Sequence, residues 1–147
     1  MPPRYLLDTN ILVHQVRRDG VGERIRTLYA PLMAEPRPFI SVVTDGELRS
    51  LGFQLGWGQG KTEQAHYLLT YFQRLTIDSE EVLLAYALID TFSERVGRSM
   101  GKNDLWIAAA AHVTGATLLT TDKDFDHLDS HFLKRIWIDP SKDRAGE

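Results

Sequence analysis

YLLDTN, residues 5–10, is a short apolar run that stops on an aspartate and passes directly into an amphipathic pattern. The run has the length and composition of a buried strand. The helical stripe that follows it contains Ile11, Leu12 and Val16. We expect Thr9 or Asn10 to cap this helix. Asp8 then lies at the carboxyl end of the strand, which is where open α/β sheets bind their ligands.

The rest of the chain repeats this alternation of short apolar runs and helical stretches, which is typical of βαβ units. Further strands are predicted at residues 39–41, 75–77, 117–121 and 136–138. A parallel sheet of such strands needs helices on both of its faces. We therefore expect an α/β three-layer sandwich with a central parallel sheet of four to five strands. It forms a single domain over residues 1–139, followed by a polar C-terminal tail over residues 140–147.

The composition limits the classes of protein to consider. A chain of 147 residues is long enough for one domain with a substantial core. With 43% apolar and 25% charged residues, it is an ordinary soluble globular protein rather than a disordered one. The absence of cysteine excludes disulfides and thiolate metal sites, and it agrees with a cytoplasmic location. The most apolar window, residues 105–119, is too short and too interrupted to span a membrane.

Three later acids occupy positions comparable to that of Asp8. Glu47 follows the second predicted strand, Asp104 opens a predicted helix, and Asp122 follows the fourth predicted strand. Taken singly, each could be a solvated residue that complements a helix dipole. In a parallel sheet, all four positions lie along one edge, where the carboxylates repel one another unless a cation neutralises them. Oxygen ligands favour Mg²⁺ or Mn²⁺, so the pattern predicts a metal site that hydrolyses a phosphodiester.

Four segments in this order, LLDTNILV, SVVTDGEL, KNDLWIAAAA and LLTTDKDF, resemble the PIN domains, and among them the VapC-type ribonuclease toxins of toxin–antitoxin pairs. The resemblance runs from Tyr5 to about Ile138 and implies the same sandwich fold. It implies that the acidic quartet is Asp8, Glu47, Asp104 and Asp122. Supporting polar roles are implied for Thr9, Asn10, Asn103 and Thr121.

The resemblance also implies an activity and partners. Similar proteins cleave RNA in a Mg²⁺- or Mn²⁺-dependent way, form homodimers, and are inhibited by a small cognate antitoxin that inserts into the site. The function expected here is therefore that of a metal-dependent endoribonuclease. The alternative is a non-catalytic PIN-like module that binds a partner chain. A phosphotransfer domain with Asp8 as nucleophile is disfavoured, because Asn10 stands where a second acid would be expected.

Several assignments stay open at this stage. Asp124 is the alternative to Asp122 as the fourth acid, because acids alternate in TTDKDFD. One metal or two could be bound. The net charge of −3 does not indicate RNA binding by bulk charge, although bound cations are missing from that count. Basic residues that could contact RNA phosphates flank the acids: Arg17, Arg18, Arg49, Arg98, Lys102 and Lys123.

Two further patterns have simpler interpretations. GWGQGKT, residues 56–62, is close to a phosphate-binding P-loop, but its glycine spacing is one residue short and no strand precedes it. We predict a helix connection there, or a partner contact through Trp57. His127 and His131 have the spacing of zinc ligands on a helix, yet no further zinc ligand stands nearby. We expect both to be surface residues, whereas His14 could face the acidic site.

Overall fold

Five short strands form one parallel sheet in the computed structural model, which describes residues 3–30 and 35–141. The strands are β1 (Tyr5–Leu7), β2 (Phe39–Ser41), β3 (Gln73–Leu75), β4 (Thr117–Thr120) and β5 (Lys134–Trp137). Their order across the sheet is β3-β2-β1-β4-β5. The YLL run is therefore the central strand, with β2 on one side and β4 on the other. The prediction of a central parallel sheet is confirmed.

Helices cover both faces of this sheet. They are α1 (Thr9–Arg17), α2 (Gly20–Tyr29), α3 (Val42–Gln54), α4 (Gln59–Tyr71), α5 (Glu80–Arg95) and α6 (Lys102–Thr114). A 3₁₀ helix, Lys123–Leu128, connects β4 to β5. No helix in the described part of the chain is both long and apolar enough to cross a bilayer.

The two apolar layers follow from the alternation of side chains along the central strands. Leu7 and Leu119 point to one face, where they pack with residues of α1 to α4 such as Ile11. Leu6 and Leu118 point to the other face and pack with residues of α5 and α6 such as Ile107. Successive strand residues face opposite sides of a sheet, so fully apolar strands require cover on both. This pattern produces the three-layer sandwich.

Several element boundaries differ from those expected from the sequence. Asp8 itself caps α1, in place of Thr9 or Asn10, because its carboxylate accepts a hydrogen bond from the next backbone N–H. The third strand lies two residues earlier than predicted, over Gln73–Leu75. Gly101, not Asn103, precedes α6. The sequence also predicts a helix over residues 21–32, and its last two residues, 31 and 32, lie outside the described residues, as do residues 142–147 of the predicted tail.

Candidate metal centre

Asp8 is the most deeply placed of the predicted site acids, with 4% of its surface exposed. It stands between the end of β1 and the start of α1. Its Oδ1 accepts the backbone N–H of Thr9 (2.8 Å), and its Oδ2 accepts the hydroxyl of Thr120 (2.7 Å). Burial raises the pKa of Asp8 from 3.8 to about 6, against the effect of these two hydrogen bonds; the charges of Asp122 and Glu47 raise it further. Asp8 is thus a fixed carboxylate in a negative environment.

Glu47 reaches the same place from the second turn of α3. Its Oε1 accepts the hydroxyl of Thr9 (2.7 Å), and its Oε2 accepts the side-chain amide of Asn103 (3.1 Å). The hydroxyl of Thr44, one turn earlier on α3, lies 3.1 Å from that of Thr9. These contacts join α1, α3 and α6 around one carboxylate. The structure therefore brings the predicted residues Thr9 and Asn103 against Glu47.

Asp104, Asp122 and Asp124 complete the cluster. Each offers a carboxylate oxygen, and the three oxygens lie within 4.8 Å of one another. Burial raises the pKa of Asp104 from 3.8 to about 7, and the charges of Asp8, Asp122, Asp124 and Glu47 add to this effect. Burial also raises the pKa of Asp124, and the charge of Asp122 raises it further. Both candidates for the fourth acid thus lie in the same cluster, and Asp122 accepts the backbone N–H of Asp124 (2.9 Å).

Among the described residues, the charge of this cluster is compensated only in part and at Asp124, whose pKa burial raises while the charges of Arg98 and His127 act to lower it. The five acids form no ion pair with lysine or arginine in the described part of the chain. Asp45, a buried acid elsewhere on α3, makes the contrast clear, because it pairs with Arg49 and with Arg74 (2.6 Å). Burial acts to raise the pKa of Asp45, yet the two guanidiniums hold it below its usual range. Several oxygen donors with unbalanced negative charge fit a hard divalent cation, which would supply the missing positive charge.

Two of the predicted supporting residues are not part of this arrangement, and two others were missed. Asn10 is exposed. Thr121 contributes its backbone carbonyl, which accepts the indole N–H of Trp137 (3.0 Å). The threonine that contacts Asp8 is Thr120, which is fully buried and also accepts the backbone N–H of Asp122 (2.9 Å). Thr44 was missed as well, although its position three residues before Glu47 on a helix places both on one face.

The basic residues proposed to contact RNA are distributed unevenly. Arg49 pairs with Asp45. Arg17 and Arg18 are exposed at the end of α1 that is opposite to its Asp8 cap. Lys102 is exposed at the first position of α6, beside Asn103 and Asp104. Lys123 follows Asp122 directly, and its amine lies 4.7 Å from the centre of the Trp137 ring. Burial raises the pKa of Asp124, and the charge of the exposed Arg98 acts against this effect. Arg98 and the two lysines are therefore the members of the set that border the acids.

His14 and the glycine-rich segment contact other parts of the described chain, whereas the charge of His127 acts on Asp124 of the acidic cluster. His14, which could have faced the site, binds Asp19 (2.6 Å) at the junction of α1 and α2. His127 is only partly exposed and contacts the buried hydroxyl of Ser93 (2.8 Å). The glycine-rich segment joins α3 to α4, as predicted. Its Trp57 packs against Gly52 and lines an apolar cleft of about 430 Å³.

The fold and the cluster define an α/β protein with carboxylates gathered at the carboxyl edge of a parallel sheet. The sequence model of the PIN domain matches residues 5–130, and the chain belongs to the PIN domain family.

Its relatives narrow this description. Ribonuclease VapC1 of Haemophilus influenzae (strain R2866) is 31% identical over 130 residues, which cover 84% of this chain and 91% of the relative. Among solved structures, FitAcB from Neisseria gonorrhoeae has a TM-score of 0.71 and 28% identity, covering 90% of this chain and 96% of that one. VapBC-1 from nontypeable Haemophilus influenzae has a TM-score of 0.70 and 28% identity, also covering 90% of this chain and 96% of that one.

Proposed function

We propose that this protein is a VapC-type endoribonuclease that hydrolyses RNA phosphodiesters with the help of Mg²⁺ or Mn²⁺. The observation that carries the proposal is the group of carboxylates at the sheet edge, with which no lysine or arginine of the described residues forms an ion pair. The name of the relative, Ribonuclease VapC1, supports RNA as the substrate. A carboxylate cluster of this kind costs stability, and a cation-dependent reaction gives a physical reason for keeping it.

Each acid has a separate role in this proposal. Asp104 forms no side-chain hydrogen bond with the described residues, so its oxygens are free to hold a cation together with those of Asp8. Glu47 and Asp122 complete the cation site or orient the attacking water, with Asp124 as the alternative to Asp122. When bound, the cation would polarise a phosphoryl oxygen and lower the pKa of a water molecule. In the reaction, a water oxygen forms a bond to phosphorus and gives up one proton, one phosphorus–oxygen ester bond breaks, and the leaving oxygen gains a proton, so that none is lost overall.

The supporting residues hold these acids in place before the substrate arrives. Thr120 and the backbone of Thr9 fix both oxygens of Asp8. The hydroxyl of Thr9 and the amide of Asn103 fix both oxygens of Glu47. Because neutral donors make these bonds, the carboxylates are oriented without being neutralised, and their charge stays available to a cation.

The proposal is tested with Asp8→Asn and Asp104→Asn, each assayed on a labelled single-stranded RNA in Mn²⁺. Asp78→Asn, an exposed loop acid, is the matched control. We expect the control to cleave like the wild type and both site variants to lose cleavage while they keep a cooperative thermal transition. Calorimetric titration with Mn²⁺ separates the alternative, because a non-catalytic binding module would give no binding heat. Cleavage by Asp104→Asn at the wild-type rate would refute the mechanism.

We also propose two protein partners, a second copy of this chain and a small cognate antitoxin. Two similar structures support this: VapBC-1 from nontypeable Haemophilus influenzae and VapBC-5 from Mycobacterium tuberculosis, a member of the VapBC family of toxin–antitoxin systems. Exposed apolar side chains support contacts of this kind: Phe53 is 89% exposed and Leu84 is 62% exposed. Light scattering of the purified chain, alone and co-expressed with the product of an adjacent short gene, tests both partners. A monomer that forms no complex with that product would contradict them.

A further inference from the structure

Trp137 lies directly beside the acidic cluster but belongs to a different element from any of the acids. It is the last residue of β5, the strand next to β4, where it pairs in register with Thr120. Its indole N–H donates to the backbone carbonyl of Thr121 (3.0 Å), and the amine of Lys123 lies 4.7 Å from its ring centre. The indole therefore contacts the residues on both sides of Asp122.

The surroundings of Trp137 differ from those of the other two tryptophans. Trp57 packs against the apolar cluster formed with residues of α1 to α4, and Trp106 packs in a tilted arrangement on Tyr86 with 4.1 Å between ring centres. The apolar clusters formed by the described residues do not include Trp137, which is partly exposed. Its indole N–H donates to a carbonyl oxygen, and an exposed ammonium group lies over its ring. Core packing therefore does not explain why a large aromatic ring stands at this position.

We propose that Trp137 and Lys123 form a subsite for single-stranded RNA, in which the indole stacks on an unpaired base and the lysine contacts the adjoining phosphate. This inference rests on the proposed ribonuclease function. Aromatic rings paired with cations bind single strands because every base has a flat face and every linkage carries a negative charge. The Lys123 side chain is exposed, so its amine can move from the ring to a phosphate and leave that ring face open to a base.

The subsite also provides RNA affinity that the negatively charged cluster does not provide by itself. Without its cation, the cluster repels the phosphates of RNA, so substrate affinity under those conditions must come from groups outside it. A ring held by a hydrogen bond to Thr121 is already oriented, and little conformational entropy is lost when a base stacks on it. Because the ring touches the neighbours of Asp122, a base bound there places its linkage at the cluster. The subsite thus selects unpaired RNA, since a base inside a duplex has no free face.

The competing interpretation is that Trp137 only fixes the backbone around Asp122. Two substitutions distinguish these roles. Trp137→Phe removes the indole N–H but keeps an aromatic face, whereas Trp137→Leu removes both. Tyr67→Leu is the matched control, since Tyr67 is an exposed aromatic residue on α4, which contributes none of the acids. Lys123→Gln tests the phosphate contact separately.

Each variant is measured in three assays: anisotropy of a fluorescent single-stranded RNA in EDTA, steady-state cleavage of that RNA in Mn²⁺, and calorimetry of Mn²⁺ binding. We expect Trp137→Leu to raise Kd and KM about tenfold, the scale of one lost stacking contact. Its kcat and Mn²⁺ affinity should stay within twofold of the wild type. Trp137→Phe, which keeps an aromatic face but loses the bond that orients the ring, should have a Kd between those of the wild type and Trp137→Leu. The control should resemble the wild type, and binding of a fully paired RNA should not change. Lys123→Gln should lower the salt dependence of binding.

The possible failures are separable. If Trp137→Leu keeps the wild-type Kd and KM while the wild type cleaves RNA, the subsite is wrong and the nuclease stands. If both Trp137 variants lose Mn²⁺ affinity and kcat, the ring acts only on the position of Asp122 and the subsite is again wrong. If the wild type does not cleave but Trp137→Leu still weakens binding, the subsite stands without the nuclease. If the wild type neither binds nor cleaves RNA, both proposals fall.

Discussion

Replacing Asp104 by asparagine should stabilise the metal-free protein at pH 8. The pKa of Asp104 is raised by burial and by four neighbouring carboxylates, from 3.8 to about 7. Because the folded-state value lies above the unfolded one, the folded protein binds the proton more tightly, and its stability falls as pH rises between these values. Above pH 7, the folded protein carries the full cost of the ionised group. Below about pH 4, the group is protonated in both states and the cost disappears.

The size of the effect follows from the pKa difference and from solvent exposure. A rise from 3.8 to about 7 corresponds to roughly 4 kcal/mol if it is converted without screening. Asp104 is only partly buried, so water reduces this to about 1–2 kcal/mol. The substitution also loses an acid from the first turn of α6, which costs about 0.5 kcal/mol. For a chain of this size, the net gain is a rise in Tm of about 2–5 °C.

The assay is thermal unfolding in EDTA at pH 8 and at pH 4.5. Asp104→Asn should unfold at a higher temperature than the wild type at pH 8, with a smaller difference at pH 4.5. Glu81→Gln, which removes an exposed first-turn acid from α5, is the control and should lower Tm slightly. Added Mn²⁺ should then raise the Tm of the wild type more than that of Asp104→Asn. A metal-free Asp104→Asn that is less stable than the wild type at pH 8 would refute the claim that uncompensated charge destabilises the cluster.

Three further results are expected. Mn²⁺ affinity should rise from pH 5 to pH 8, with release of protons, because burial raises the pKa of Asp8 to about 6 and that of Asp104 to about 7. Calorimetry in two buffers of different ionisation enthalpy measures the affinity and the proton release, and a pH-independent affinity would contradict the prediction. Thr120→Val should lower Mn²⁺ affinity, because the Thr120 hydroxyl orients Asp8, and Thr120→Ser should restore it. Equal Mn²⁺ affinity in the wild type and both variants would exclude this role of the hydroxyl. Asp45→Asn should lower the free energy of unfolding by about 1–3 kcal/mol, because it leaves two guanidiniums without their acid, and urea unfolding measures this loss. The same variant should keep the wild-type Mn²⁺ affinity.

The sequence predicts the convergence of the acids because it depends on a general property of parallel sheets. Asp8 and Asp122 follow apolar runs, and the carboxyl ends of parallel strands share one edge. The position of Glu47 is predictable as well, because the second strand passes directly into α3, which carries Glu47 to the same edge. None of these steps needs the exact length of a strand. The gathering of the acids at one edge was therefore predictable even though the third strand lies two residues from its predicted position.

The partners of the acids depend on such details and were less predictable. Which of two adjacent threonines faces Asp8 is set by the register of β4 against β1, where Leu7 pairs with Leu119 and Thr120 extends one residue further. A shift of one residue would turn Thr121 towards the site instead. Likewise, the choice between Asp122 and Asp124 depends on the turn into the 3₁₀ helix, which Asp122 caps. The TTDKDFD pattern does not encode that turn in any periodicity.

Asp8 and Asp45 show why the cluster is better explained by function than by folding. Both are about equally buried, at 4% and 5% exposure, and both follow a strand of the same sheet. Around Asp45, two arginines lower the pKa, so the charge is compatible with burial. Around Asp8, the chain supplies hydroxyl and backbone donors together with further acids, and burial raises the pKa. The same fold can therefore neutralise a buried carboxylate and does not do so at the sheet edge. Asp45 has cationic partners within the protein and Asp8 has none among the described residues, and a carboxylate without a cationic partner is what a cation from solution needs as a ligand.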